Sequence, residues 1–122
     1  MDEPVITREY VRKFIEAGAD IILVPAVGTV SGFDEAQLKD IVKEVHRKEG
    51  LVMSAIGTSQ ESADPSTIRD FAIRNKICGV DIQHIGDGSF CGLAPVENIF
   101  ELSKALRGER HTLSMIARSI NR

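Results

Sequence analysis

Cysteine is scarce in this chain of 122 residues, and the two that occur, Cys78 and Cys91, form no CxxC pair. Two such thiols cannot build a disulfide framework, so both are read as reduced. Long apolar runs are missing too. The longest, around Ile21–Val24 and Leu51–Ile56, fall far short of the roughly 20 residues that span a bilayer. Positive charge is not in excess, because 15 Lys and Arg stand against 18 Asp and Glu for a formal charge of −3. Nothing here marks a partner as nucleic acid or an anionic membrane. The opening segment Met1-Asp2-Glu3-Pro4 is acidic and lacks the basic and apolar regions of a signal peptide, which predicts a cytoplasmic location. The remainder is ordinary: 43% hydrophobic and 27% charged residues are too apolar for disorder. The length has room for one domain, residues 1–122, and the charge balance favours a neutral or phosphorylated small molecule as partner.

The strongest internal signal is a repeat. Val27-Gly28-Thr29, Ile56-Gly57-Thr58 and Ile85-Gly86-Asp87 each close an apolar run, and they recur twice at a spacing of 29 residues. A period of that length matches one βα unit of a parallel sheet. The runs at 20–24, 51–56 and 80–85 are short, rich in Ile and Val and only partly alternating, as in strands buried on both faces.

Helical patterns with readable ends lie around them. In the first, Tyr10, Val11, Phe14 and Ile15 make an apolar stripe opposite Arg8, Glu9, Arg12, Lys13 and Glu16, and Gly18 stops it. The second opens on Asp34 with Gln37 three residues on, a capping box, while Phe33 can staple to Leu38. Leu38, Ile41, Val42 and Val45 then face the sheet up to Gly50. The third begins with the Asp64-Pro65 cap and buries Ile68, Phe71 and Ala72. A fourth runs from Pro95 through Ile99, Leu102 and Leu106 to Gly108, and a fifth from about Arg110 onward aligns Leu113, Ile116, Ala117 and Ile120 opposite His111, Arg118 and Arg122.

The order helix, strand, helix, strand, helix, strand, helix, helix makes an α/β fold with three parallel strands. Three strands cannot close a barrel and leave two unpaired edges. Either this is a small open α/β domain or it is the later part of a (βα)8 barrel.

The residues 15–29, then Ala55-Ile56-Gly57-Thr58-Ser59-Gln60-Glu61, Gly79-Val80-Asp81-Ile82-Gln83-His84-Ile85-Gly86-Asp87, Glu97-Asn98-Ile99 and Arg107-Gly108-Glu109-Arg110-His111-Thr112 resemble one uncharacterised bacterial family. Its members carry the label "haloacid dehalogenase-like hydrolase", yet their sequences look like phosphate-binding TIM barrels. The resemblance covers nearly the whole chain and implies a partial (βα)8 barrel, its last three strands with a C-terminal helix. Members of that family are more than twice as long, so Met1 would fall inside an internal loop, as in a truncated gene or a late start. The label itself conflicts with the residues, because a haloacid dehalogenase needs an Asp-x-Asp pair and none occurs.

In such a barrel the active site forms at the C-terminal ends of the strands, and the loops after the last two commonly bind phosphate. These loops carry Gly57, Thr58 and Ser59, and Gly86, Gly88 and Ser89. Glycine lets backbone approach an anion closely, and amides and hydroxyls supply donors. The same glycines could merely turn the chain. His84 and Asp87, with Glu61 and Asp64 nearby, are candidates for acid/base catalysis or for one side of a divalent metal site, although the spacing matches no metal motif. His84 could equally be a core histidine bonded to a carbonyl, and Gln83 must point to the opposite face. Thr29 and Ser31 can contact substrate or satisfy a turn. Gly86-x-Gly88 lacks the third glycine of a dinucleotide fingerprint, since position 91 is Cys91, which has no adjacent base and is no nucleophile candidate. Asp20 and Asp81 at strand starts, Cys78 and His46 read as structural, His46 by complementing a helix dipole.

Two functions compete. One is an enzyme domain of lyase, aldolase or hydrolase type acting on a phosphorylated or carboxylated metabolite. The other is a non-catalytic barrel fragment or interaction module. Either way, the exposed edges predict a homo-oligomer or a missing N-terminal barrel part as partner.

Overall fold

The computed structural model describes residues 7–57, 60–86 and 94–120, without the side chains of 61, 119 and 120. Among these residues five helices and three strands follow in the order α1 (Arg8–Glu16), β1 (Ile21–Pro25), α2 (Glu35–Arg47), β2 (Leu51–Ile56), α3 (Pro65–Ile77), β3 (Ile82–Ile85), α4 (Val96–Arg107) and α5 (Glu109–Ile120), with a 3-10 turn at Gln60–Ser62. The sheet order is β1-β2-β3, every pairing is parallel, and the register sets Ile21 beside Leu51, Leu23 beside Met53 and Ile82, and Ala55 beside His84. This is the α/β arrangement of parallel strands that the repeat predicts.

Because side chains alternate along a strand, the sheet has two distinct faces. Ile22, Val24, Val52 and Ile56 point into the helix layer and are at most 4% exposed. Around them lie two clusters. One joins Val11 of α1 and Leu38, Ile41 and Val45 of α2 to β1 and Val52. The other joins Ile68, Phe71 and Ala72 of α3 and Leu102 of α4 to Ile56. On the other face Ile21, Leu23 and Leu51 are 46%, 60% and 43% exposed. No helix among the described residues covers them.

The helix ends follow the local chemistry. In α2 the Asp34 carboxylate accepts from the Gln37 amide at 2.9 Å and the Gln37 side chain accepts from the Asp34 amide at 2.8 Å, a complete capping box. Phe33 and Leu38 are both buried in the same cluster, as the staple predicts. At α3 the outcome differs: Pro65 sits at the first helical position, but the Asp64 side chain makes no cap bond, and its carbonyl accepts from Thr67 and Ile68 instead.

Other expectations need correction. The third strand begins at Ile82, because the Val80 amide bonds back to the Asn75 carbonyl and belongs to the turn leaving α3. Of the α1 stripe only Val11 is buried, while Tyr10 and Phe14 are over half exposed. Helix α1 meets the core along a single line where it touches α2 and β1, so one residue per turn is enough. In α5 the apolar stripe faces out: Leu113 and Ile116 are exposed and the buried residue is Thr112. Among the described residues that helix packs chiefly on α4.

Candidate functional site

The C-terminal ends of the three strands lie side by side. The ladder extends one residue beyond β1 and β3, with the Ala26 amide donating to Ala55 at 2.9 Å and the Gly86 amide to Ile56 at 3.0 Å. Gly57 and Gly86 thus follow the register pair Ile56 and Ile85 at one edge of the sheet. Gly86 has φ of 127°, a conformation that itself selects glycine, and a Cβ built there would meet no atom of the described residues within 4 Å. Its amide is engaged within the sheet. Among the described residues the space beside its Cα is open, and its amide is not a free donor.

His84 is exposed on the uncovered face, next to Ala55, and no hydrogen bond or ion pair holds its ring among the described residues. It is therefore not a core histidine bonded to a carbonyl. Gln83 turns the other way, as strand alternation requires, and donates from Nε2 to the Ala72 carbonyl of α3 at 2.9 Å. Thr29 is buried at 8% and its hydroxyl donates to the Ala26 carbonyl at 2.7 Å, whereas Ser31 is exposed. Thr58, Ser59, Asp87, Gly88, Ser89 and Cys91 lie outside the described residues, and of Glu61 only the backbone, in the 3-10 turn, is described. Among the described residues no three His, Cys, Asp or Glu side chains gather as a metal set. No helix among the described residues is long and apolar enough to cross a membrane.

Two residues that the sequence reading did not weigh shape the strand-end loops. Asn75 of α3 is fully buried; its Oδ1 accepts from the Val27 amide at 3.0 Å and its Nδ2 donates to the Phe71 carbonyl at 2.7 Å. Asn98 of α4 is 2% exposed and donates to the Ala63 carbonyl at 2.8 Å. Each is a helix asparagine that reaches back to the loop after a neighbouring strand, satisfying backbone groups that burial would otherwise orphan. The available cue is an asparagine within a helical, largely apolar stretch, where its helix propensity is poor. The β1–α2 loop also sits against α3 at Gly28, where φ is 101° and a Cβ would come 2.5 Å from Phe71 Cε1. Beside it, Arg74 Nε donates to Glu35 at 2.7 Å, which raises the guanidinium pKa and ties α3 to α2.

A further set of charged groups joins helices to one another and to the start of β3. Asp81 Oδ2 is 2.7 Å from His46 Nε2 and accepts from the Val52 amide at 2.9 Å. Burial pushes its carboxyl up, but the His46 hydrogen bond, the Val52 amide and the His46 charge together outweigh that and hold it below the ordinary value. His46 is thus more than a dipole complement; it bridges the last turn of α2 to the start of β3. Glu44, 1% exposed, accepts from Arg12 Nη2 at 2.7 Å, and that bond, with Arg47 and Arg8 nearby, keeps its pKa low. Cys78 is buried, which raises its thiol pKa. These groups hold the fold.

The chain belongs to the family described as a domain of unknown function, DUF7916, whose model matches residues 1–122. No curated protein and no solved structure matches it.

Proposed function

We propose that the chain is an enzyme domain that binds a small phosphorylated or carboxylated metabolite at the C-terminal ends of its parallel strands, within a sheet that continues as a (βα)8 barrel. Three features support the barrel: sequential strand order, helices on one face only among the described residues, and an opposite face whose residues line up in layers such as Leu23, Met53 and Ile82. Parallel sheets are ordinarily covered on both faces, and curling is one way for a singly wound sheet to cover its second. The ligand reading is carried by one observation, the imidazole of His84 on that face, two residues before Gly86 and unpaired among the described residues. An imidazole in that position can pass a proton to or from a bound anion. The loops after Gly57 and Gly86 would supply Thr58, Ser59, Gly88 and Ser89 as phosphate contacts, with Asp87 and Glu61 as partners for His84 or for a divalent cation. Thr29 and Ser31 would approach the substrate from the first loop.

Binding of this kind stabilises the folded state by about 2.7 kcal/mol at a hundredfold excess over the dissociation constant. Phosphate should raise the melting temperature above that in chloride of matched ionic strength. Gly86→Val should abolish the rise, and Ser89→Ala, which leaves the backbone unstrained, should reduce it. Absence of any phosphate shift in the parent chain defeats the phosphate reading. A second function, an interaction module, is favoured by the exposed Ile21, Leu23 and Leu51 beside a β1 edge that no other strand pairs among the described residues. A chain that self-associates through this face and shows no anion effect would be that module.

A further inference from the structure

The helical hairpin of α4 and α5 holds a groove of about 350 Å³, within the size range of small-ligand sites. Its walls are apolar, with Val96, Ile99 and Phe100 on α4 and Ile116 on α5. Val96 and Ile99 are 77% and 48% exposed, far more than the ordinary interior of a helix pair would leave. At the hinge the groove turns polar, and Ser103, Arg107 and Thr112 complete its lining.

We propose that this groove binds a monocarboxylate with an apolar tail, its carboxylate held by Arg107 and its tail laid along Val96, Ile99, Phe100 and Ile116. The hydrogen bonds at the hinge have one consistent direction. Thr112, 2% exposed, gives its single proton to the Gly108 carbonyl at 2.8 Å. Ser103 Oγ, 2.9 Å from Thr112 Oγ1, is then the donor of that pair, and it accepts from Arg107 Nε at 2.7 Å. The chain orients the guanidinium through Nε and leaves both terminal nitrogens as donors. No carboxylate pairs with Arg107 among the described residues, and the neighbouring Lys104 is paired with Glu101 at 3.2 Å.

The charge count selects the headgroup. One unpaired cation balances one negative charge, and a planar guanidinium matches a carboxylate through two parallel hydrogen bonds. A phosphate monoester would bring a charge of about −1.5 to −2 and need further donors. The apolar walls then select a tail, since a small hydrophilic acid would leave them wet. None of these residues belongs to the strand ends, so the inference stands apart from the phosphate reading.

Sodium octanoate is a suitable probe, titrated into the full chain by calorimetry and followed at the Ile99 and Ile116 methyls by NMR. Saturable binding with shifts at both methyls is expected. Arg107→Met, which keeps the apolar stem, should weaken it about tenfold or more, while Lys104→Gln should leave it unchanged and circular dichroism should show both variants folded. Octanamide, without the charge, and acetate, without the tail, should bind at least about tenfold more weakly. Equal affinity for octanamide, or an unaltered Arg107→Met, overturns the assignment. So does a failure of octanoate to bind together with a dimer that Ile116→Ser dissociates, because the groove is then closed by a second copy of the chain.

Discussion

The two faces of the sheet have nearly the same composition and opposite fates. Ile22, Val24, Val52 and Ile56 are sealed under α1, α2 and α3, whereas Ile21, Leu23 and Leu51, one residue away along the same strands, are about half exposed. Burying an aliphatic side chain completely is worth about 1.5–3 kcal/mol, so the open face forgoes on the order of 1 kcal/mol at each of these positions. The difference does not come from hydrophobicity. It comes from winding, since strands placed in sequential order by connections of one hand carry all their helices to one side. The evenly apolar strands are thus left with one face that no helix among the described residues covers, and His84 lies on that face at the strand ends.

The largest test of this contrast is a matched pair of truncations. Ile56→Ala on the sealed face should cost about 2–5 kcal/mol by urea unfolding, and Leu23→Ala on the open face less than about 1 kcal/mol. Comparable losses would mean that the open face is buried in solution, by a second copy or by further strands, and a dependence of the Leu23→Ala loss on protein concentration would identify the copy. Next in size is Asn75→Ala, which leaves the Val27 amide and the Phe71 carbonyl without their side-chain partner. It should cost about 1–3 kcal/mol and speed hydrogen exchange at Val27 specifically. Uniform acceleration across the sheet would show that Asn75 supports the core rather than the strand-end loop.

Acid should act through two hydrogen-bonded carboxylates. The folded pKa values of Glu44 and Asp81 are both depressed, so their contribution is fully present above the ordinary carboxylate range, near pH 4, and is lost as pH falls through the lower folded values. Unfolding free energy should therefore fall on acidification below about pH 4 in the parent, and less steeply in Asp81→Asn. An unchanged slope in that variant would remove Asp81 from the account. The smallest effect is expected at Ser54→Ala. Ser54 is fully buried on the sealed face, and its hydroxyl finds no hydrogen-bond partner among the described residues. Removing it should change stability by less than about 1 kcal/mol; a larger loss would show that the hydroxyl is bonded.

Most of the architecture was legible in the residues because it rests on local chemistry. The capping box of Asp34 and Gln37, the proline at the start of α3 and the strand from Leu51 to Ile56 each depend on groups within a few positions of one another. The same local reading went wrong at Asp64, where the right residue type makes no cap bond, and at Tyr10 and Phe14, where periodicity marks an amphipathic face without saying how much of it finds a neighbour. At the candidate site the strand-end glycines and His84 were visible through the 29-residue repeat. Asn75 was not, because its partner Val27 lies 48 residues away.

By itself the sequence determined the elements, their order and their parallel sense, since period, caps and the length of each βα unit are short-range properties. Only the tertiary structure decided which side of each strand was sealed and that His84, not Gln83, faces outward. It also decided that His46 meets Asp81 across 35 residues and that Thr112, rather than the apolar stripe of α5, is buried. Burial and long-range pairing depend on which elements become neighbours, and adjacency in space is set by the direction of the crossovers and the register of the sheet, which no window along the chain contains.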